Sequence, residues 1–364
     1  MKNTLLRAAT LTGLIFLFVF IYNPLAQAQL QPALADSFFN FINANRLKAA
    51  VYITRNDSVT ARLNENKLKP LASTVKLLIA IEFAQQSTHE MINENSYVNL
   101  DELNKYYMPV MDSAAHNDWL SYARADNEIK DNAVKLVDVA RGMMMYSSHA
   151  NADYLMDRLG FDNVKDNIAL FKLKQHTAIY PFAGSMFIYQ LPKKSSEAKL
   201  IKELNKYSDK KYSMEAYYNH LDLKEDSSFK ESFKAEQFTP TLQKMWSEKL
   251  PAATAKEYVE VARALNNREV IDEDAFFTIG EVVEYPMENK AFQKKYNHYG
   301  AKTGSTDFVF THVFYCTLKD GNRMEAAIFL DELAPDQVKK LQTWLDPFKE
   351  QLISDPVFRS KVRF

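Results

Sequence analysis

Pro70-Leu71-Ala72-Ser73-Thr74-Val75-Lys76-Leu77-Leu78-Ile79 sets a serine and a lysine three residues apart at the head of an apolar run. Residues at that spacing share one face of a helix, so the pattern predicts that Ser73 and Lys76 meet directly. A serine hydroxyl is a weak nucleophile at neutral pH, and an amine acts as its base only after losing its proton. Val75, Leu77, Leu78 and Ile79 supply the apolar setting that lowers a lysine pKa. The positive end of the helix dipole favours an anion developing at Ser73. Alone, Ser-x-x-Lys is a common chance pattern, and a serine near a helix start is usually a cap.

Two further stretches add weight: Tyr146-Ser147-Ser148-His149, and Lys302-Thr303-Gly304-Ser305 opening a strand. Lys302 brings a second cation, which lowers the pKa of Lys76 further if the two approach. Together the three motifs are the parts of an acyl-transfer site that needs no catalytic histidine, metal or cofactor. The seven histidines show no HExxH or paired ligand spacing. Asp112, His116 and Asp118 come close together before Trp119 but lack a second cluster, so they read as a loop at a cleft edge. The one cysteine, Cys316, lies within the apolar stretch Phe310 to Leu318 and reads as a small core residue, without a disulfide partner.

With 364 residues, 47% hydrophobic and 25% charged, the chain is long enough for one large or two intimate domains. A formal net charge of -1 gives no reason to expect nucleic acid or an anionic membrane as partner. The expected partner is a small or peptide-like substrate; nothing in the sequence speaks to oligomeric state.

Lys2 and Arg7 precede an apolar run from Leu11 to Tyr22, and Ala26-Gln27-Ala28 follows. This fits a secretory signal over residues 1–28, cleaved before Gln29. The run is short for a membrane span. A secreted or periplasmic protein without a stable membrane anchor is expected.

A helix is predicted over Ser37 to Arg46, then strands over Ala49 to Arg55 and Ser58 to Leu63 around an Asn56-Asp57 turn. From the apolar helix Ser73 to Gln85 until about Tyr285 the pattern is almost wholly helical, with Thr239-Pro240 as a capping signal. Strands return only after Lys302. Phe308 to Leu318 meets Met324 to Leu330 across Lys319-Asp320-Gly321-Asn322, and an amphipathic helix, Pro335 to Leu352, closes the chain. The expected fold is α/β (α+β), an antiparallel sheet flanked by the N- and C-terminal helices with a large all-helical domain inserted. Residues 29–70 and 286–364 would form the sheet domain and 71–285 the helical one, with an extra insertion over about 186–237.

On these motifs the chain resembles the serine β-lactamase and penicillin-binding protein superfamily, most closely its class A β-lactamase-like branch. The resemblance rests on Pro70 to Lys76, Met145 to Ala152 and Gly300 to Thr306, and Leu159-Gly160 and Phe238-Thr239-Pro240 extend it across the mature chain. It implies Ser73 as nucleophile, Lys76 as proton acceptor or relay, and Ser147, helped by Lys302, as proton donor to the leaving nitrogen. Thr303 and Ser305 would hold a substrate carboxylate. The backbone N–H groups of Ser73 and Ser305 would form the oxyanion hole, with Gly304 letting the substrate backbone approach.

Three departures accompany the likeness. His149 stands where relatives usually carry asparagine; it either donates a hydrogen bond to a substrate amide or merely lines the cleft. Class A enzymes release the acyl group with a glutamate on the loop that should fall near Gln175 to Pro192, yet no Asp or Glu occurs from Asn167 to Ser196. His176 and Tyr180 are the substitutes on offer, against a reading of solvent exposure for the first and loop packing for the second; Glu197 could fold back, but its Lys-rich amphipathic helix reads as a solvated face. The strand from Lys302 to Leu318 has no arginine, leaving His312 as its one candidate cation. The segment 186–237 reads as helical decoration rather than a lid or docking surface.

The resemblance implies an exported serine hydrolase opening β-lactam amide bonds through an acyl-Ser73 intermediate. The alternatives are a penicillin-binding or D-Ala-D-Ala peptidase-like protein that releases its acyl group slowly, and an esterase on the same scaffold.

Overall fold

Both faces of the central sheet are covered, which is why its three inner strands read as nearly continuous apolar runs. The computed structural model describes residues 24–364 except 113, 193 and 194, with side chains from residue 31. The leader expected over residues 1–28 lies largely outside the described residues. Among those described, no helix is long and apolar enough to cross a membrane.

The sheet has five antiparallel strands: β1 (Ala49–Arg55), β2 (Ser58–Leu63), β3 (Tyr296–Ser305), β4 (Phe310–Leu318) and β5 (Arg323–Leu330), in the order β2-β1-β5-β4-β3. Asn56 and Asp57 both take positive φ, 47° and 64°, as a tight hairpin turn between right-twisted strands requires. Val51 and Ile53 pack with α1 (Pro24–Ala44) and the C-terminal helix, whereas Ala50 and Tyr52 join the opposite apolar layer. This is the period-2 alternation of a strand with both faces buried.

The helices that build the site are α2 (Lys76–Thr88), α3 (His149–Leu159), α4 (Phe182–Phe187), α5 (Asp209–Glu225), α6 (Ala255–Asn267) and α7 (Pro335–Ser354). Tyr258 of α6 meets Phe329 of β5 edge to face, covering one side of the sheet. Phe348 of α7 stacks on Phe38 of α1 over the other. Thr239 caps the helix Pro240–Lys249 by accepting from the Leu242 N–H, with proline in the first turn.

Several boundaries differ from expectation. β3 begins at Tyr296, so Lys302 lies in its second half rather than at its start. Asn297, Gly300 and Lys302 interrupt the apolar alternation there, and pairing with β4 supplies what local propensity lacks. The helical stretch contains short strand pairs, Leu68–Pro70 with Ala252–Thr254 and Tyr97–Asn99 with Ala133–Lys135. Three-residue strands carry no readable period. The segment before Lys76 is a 3-10 turn, Ala72–Val75.

The helix α5 is more than decoration. A Cβ on Gly184 of α4 would lie 2.2 Å from the Ala216 carbonyl oxygen and 2.9 Å from the His220 nitrogen, so the two backbones meet there. Asn219 donates to the Gly184 carbonyl at 3.0 Å and Tyr212 to the Tyr189 hydroxyl at 3.2 Å. Cys316 is fully buried, and burial pushes its thiol up to about 12, consistent with a core residue.

Candidate active site

Ser73 is buried at 3% exposure on the turn leading into α2. The residue before it, Ala72, has φ 45°, and Ser147 has φ 64°. Non-glycine residues rarely occupy that region, so local strain sits on both sides of the reacting groups. A Cβ on Gly304 would lie 2.4 Å from the Ser73 nitrogen and 2.6 Å from the Thr311 hydroxyl. The chain's own Ser73 backbone therefore demands glycine there, in addition to any substrate.

Lys76 is fully buried. Its Nζ does not hydrogen-bond to Ser73, as the helical spacing predicts; it donates to the Ser147 carbonyl at 2.6 Å and the Ser148 carbonyl at 3.3 Å. Burial lowers the Lys76 pKa to about 7, against the opposing pull of Asp112 and Asp153. A group with that pKa is partly neutral near pH 7.

Lys302 is buried, and its Nζ donates to the Ser147 hydroxyl and to the Thr303 carbonyl at 3.1 Å. Burial, then the charge of Lys76, holds its pKa well below the ordinary lysine range. Asp307, next to β3, is exposed. Thr303 is bonded through its hydroxyl to His312 Nδ1 at 2.8 Å, and the Ser305 hydroxyl accepts from Gln342 of α7 at 3.1 Å. His312 fails as the candidate cation: burial, then Lys349 and Lys302, depress its pKa well below the usual value and keep it neutral.

Ser148 caps α3 through the Asn151 N–H at 3.2 Å and bonds to His116 Nδ1 at 2.8 Å. Asp112 and His116 lie on short helices beside the cleft and are buried, whereas Asp118 is exposed. The Asp112 carboxylate accepts from the His149 N–H at 2.6 Å and the Ala150 N–H at 3.2 Å, and lies 3.3 Å from His149 Nδ1. Burial alone would raise its pKa, but the His149 contacts and Lys76 outweigh that and hold it below the usual carboxylate value. The His149 ring is pushed down to about 4 by burial and by Lys76, with Asp112 opposing.

His176 and Tyr180 are both engaged away from the cleft. His176 is half-buried, not solvent-exposed, and contacts the Thr177 carbonyl and the Tyr258 hydroxyl; Tyr180 donates to the Lys249 carbonyl. From the same loop it is Phe182 that reaches the site. Its ring lies under Lys76 Nζ at 5.6 Å and edge-on to His149 at 5.4 Å. Asp153 fixes that loop by accepting from the Phe182 and Ala183 N–H groups, both at 2.7 Å. Burial raises the Asp153 pKa to about 6, less than it otherwise would because these N–H groups favour the anion.

Asp153 and Phe182 escaped the sequence reading, and the role of Asp112 was not visible in it. The i, i+4 pair Asp112 and His116 was visible, but nothing in the sequence names a partner 37 residues away. The cleft beyond these groups is a cavity of about 350 Å³ whose walls include His149, Ser305, Phe238, Trp246 and Lys339. Among the described residues no cluster of His, Cys, Asp and Glu is arranged to hold a metal.

The family model described as "Beta-lactamase enzyme family" matches residues 32–343. Solved structures share the fold at low identity. A β-lactamase from Sphaerobacter thermophilus is 15% identical, with 89% of this chain and 97% of that one covered and a TM-score of 0.54. A class A β-lactamase from Bacteroides cellulosilyticus is 13% identical, with 88% and 99% covered and a TM-score of 0.50. PBP-A is 10% identical, with 87% and 95% covered and a TM-score of 0.51. No curated protein matches the chain. Since the family model spans most of its length, the chain belongs to the beta-lactamase enzyme family, and it is a serine hydrolase.

Proposed function

We propose that this chain is an exported hydrolase that opens the amide bond of β-lactam-type substrates through an acyl intermediate on Ser73. In this reading neutral Lys76 takes the Ser73 proton as Oγ bonds to the carbonyl carbon. The C–N bond then breaks, and the Ser147 hydroxyl, held by Lys302, delivers a proton to the nitrogen. The N–H groups of Ser73 and Ser305 stabilise the oxyanion, and Thr303, Ser305 and Lys302 hold the substrate carboxylate. We read residues 29–70 with 286–364 as the sheet domain and 71–285 as the helical one, the cleft running between them.

The observation that carries this reading is convergence on Ser147. Lys76 reaches its carbonyl from 71 residues away and Lys302 its hydroxyl from 155. Two buried amines with depressed pKa values on one serine have no structural need that an apolar pair would not meet better.

A second reading, capture of β-lactams or cell-wall peptides with slow release, is favoured by Phe182. A phenyl ring faces Lys76 from a loop without an acidic residue. A PBP-A mutant has been solved as its acyl-enzyme complex with penicillin G. Intact-mass measurement after adding penicillin G tests both. A transient adduct on Ser73 with product accumulating supports hydrolysis, and a persistent adduct supports capture. A folded sample that forms no adduct overturns both.

A further inference from the structure

An acyl group on Ser73 leaves only if a water is activated beside it, and Phe182 brings no base from the loop side. His176 is bonded to Thr177 and Tyr258, His116 to Ser148, and Asp153 to two backbone N–H groups. We propose that His149 is the base that activates the deacylating water, with Asp112 as the residue that positions it; this rests on the acyl-Ser73 reading above.

An ionised carboxylate only accepts hydrogen bonds, so the 3.3 Å contact from Asp112 Oδ1 puts the proton of a neutral ring on His149 Nδ1. Nε2 then carries the free lone pair, and among the described residues it has no hydrogen-bond partner. Asp112 also accepts from the His149 and Ala150 N–H groups, which locks the first turn of α3 and with it the ring. Carboxylate, imidazole and open nitrogen form the arrangement in which a buried acid sets the tautomer of a general base.

The imidazole shares the walls of the 350 Å³ cleft with Ser305, whose N–H is the proposed oxyanion donor. The groups facing it are Asp112, Lys76 of α2, Lys302 of β3 and the Phe182 ring of α4. Burial, then the charges of Lys76 and Lys302 when protonated, disfavour a charged ring, so Nε2 is unprotonated at pH 7. The donor that the sequence reading offered to a substrate amide is spent on Asp112.

The step balances. Nε2 takes one proton from water as the water oxygen bonds to the acyl carbon. The bond from that carbon to Ser73 Oγ breaks, Oγ recovers the proton from Nε2–H, and a carboxylic acid leaves.

The test times adduct formation and release separately by quenched intact mass with penicillin G, for the wild type, His149→Gln, His149→Gly and Asp112→Asn. The expected result is acylation of His149→Gln within about fivefold of wild type and release slowed ~100-fold or more. Added imidazole restores release to His149→Gly, and Asp112→Asn moves the pH profile of release, neither of which a packing role would do. Unchanged release in His149→Gln, or slowed acylation with no imidazole rescue, overturns the inference. A wild-type adduct that never releases also overturns it while leaving the acyl-enzyme reading intact. No wild-type adduct at all removes both.

Discussion

The Lys76 ammonium stands 5.6 Å from the centre of the Phe182 ring, where a hydrolase that recruits water from its loop would need a carboxylate. The ring helps to exclude water from an amine already buried on its other sides. Burial is the largest cause of the depressed Lys76 pKa, so thinning that wall should undo part of it. Phe182→Ala is expected to move the midpoint of the acylation pH profile upward by about one pH unit. Acylation rates with a chromogenic β-lactam from pH 5 to 10 check this; a midpoint that stays or falls contradicts it.

Lys76 costs the fold stability. Its folded pKa, about 7, lies below the unfolded value of 10.5, so between these pH values the unfolded chain holds the extra proton and this group's contribution improves as pH rises. Below pH 7 both states are charged, and the folded chain bears the full burial penalty. Lys76→Met should therefore stabilise by ~2 kcal/mol at pH 6 and by less at pH 9. Acylation should fall ~100- to 10,000-fold. Urea unfolding at the two pH values gives the comparison, and a gain that grows with pH would refute the sign.

Ser147 and Lys302 act as a pair through one hydrogen bond. Ser147→Ala and Lys302→Met should each slow acylation ~100-fold or more, and the double variant little further, since residues acting as a unit are not additive. A double-mutant cycle on acylation rates reads the coupling. Additive losses would separate their roles.

Gly304→Ala forces a methyl group to 2.4 Å from the Ser73 nitrogen. Either β3 or the strained turn at Ala72 must move, so acylation should fall ~100-fold or more and stability by ~1–3 kcal/mol. Thermal unfolding and adduct formation measure the two effects, and a variant with wild-type acylation would show that the approach is relaxed at no cost.

Away from the cleft, the buried Glu325 carboxylate is held by Thr54 at 2.6 Å and by Asn266 of α6 at 2.7 Å. Asn266 also donates to the Cys316 carbonyl at 3.1 Å and accepts from Thr317 at 2.8 Å. Asn266→Ala leaves a buried carboxylate half-satisfied and should cost ~2–3 kcal/mol with acylation nearly unchanged. A shift in denaturant midpoint below one tenth of the wild-type value would argue against this.

The three motifs, the antiparallel sheet built from both ends of the chain, the β4–β5 hairpin and the core place of Cys316 were legible because each is a local signal: a spacing, an alternation or a turn dipeptide. The short strand pairs and the true start of β3 were not. Three residues show no period, and β3 acquires its form from the β4 ladder rather than from its own residues. The partners of Lys76 beyond its own helix, the Ser147 and Ser148 carbonyls, lie more than 70 residues away and carry no local signal.

By itself the sequence determined which chemical groups this protein owns and in what order they occur, since residue type and short-range spacing are properties of the chain alone. Tertiary structure decided which of them act on one another. It brought the Ser147 carbonyl to Lys76, took His312 out of the cationic state, and set Asp112 beside His149 and Phe182 under Lys76. The reason is physical: desolvation and contact across long sequence separations set protonation states, and neither exists until the chain has folded.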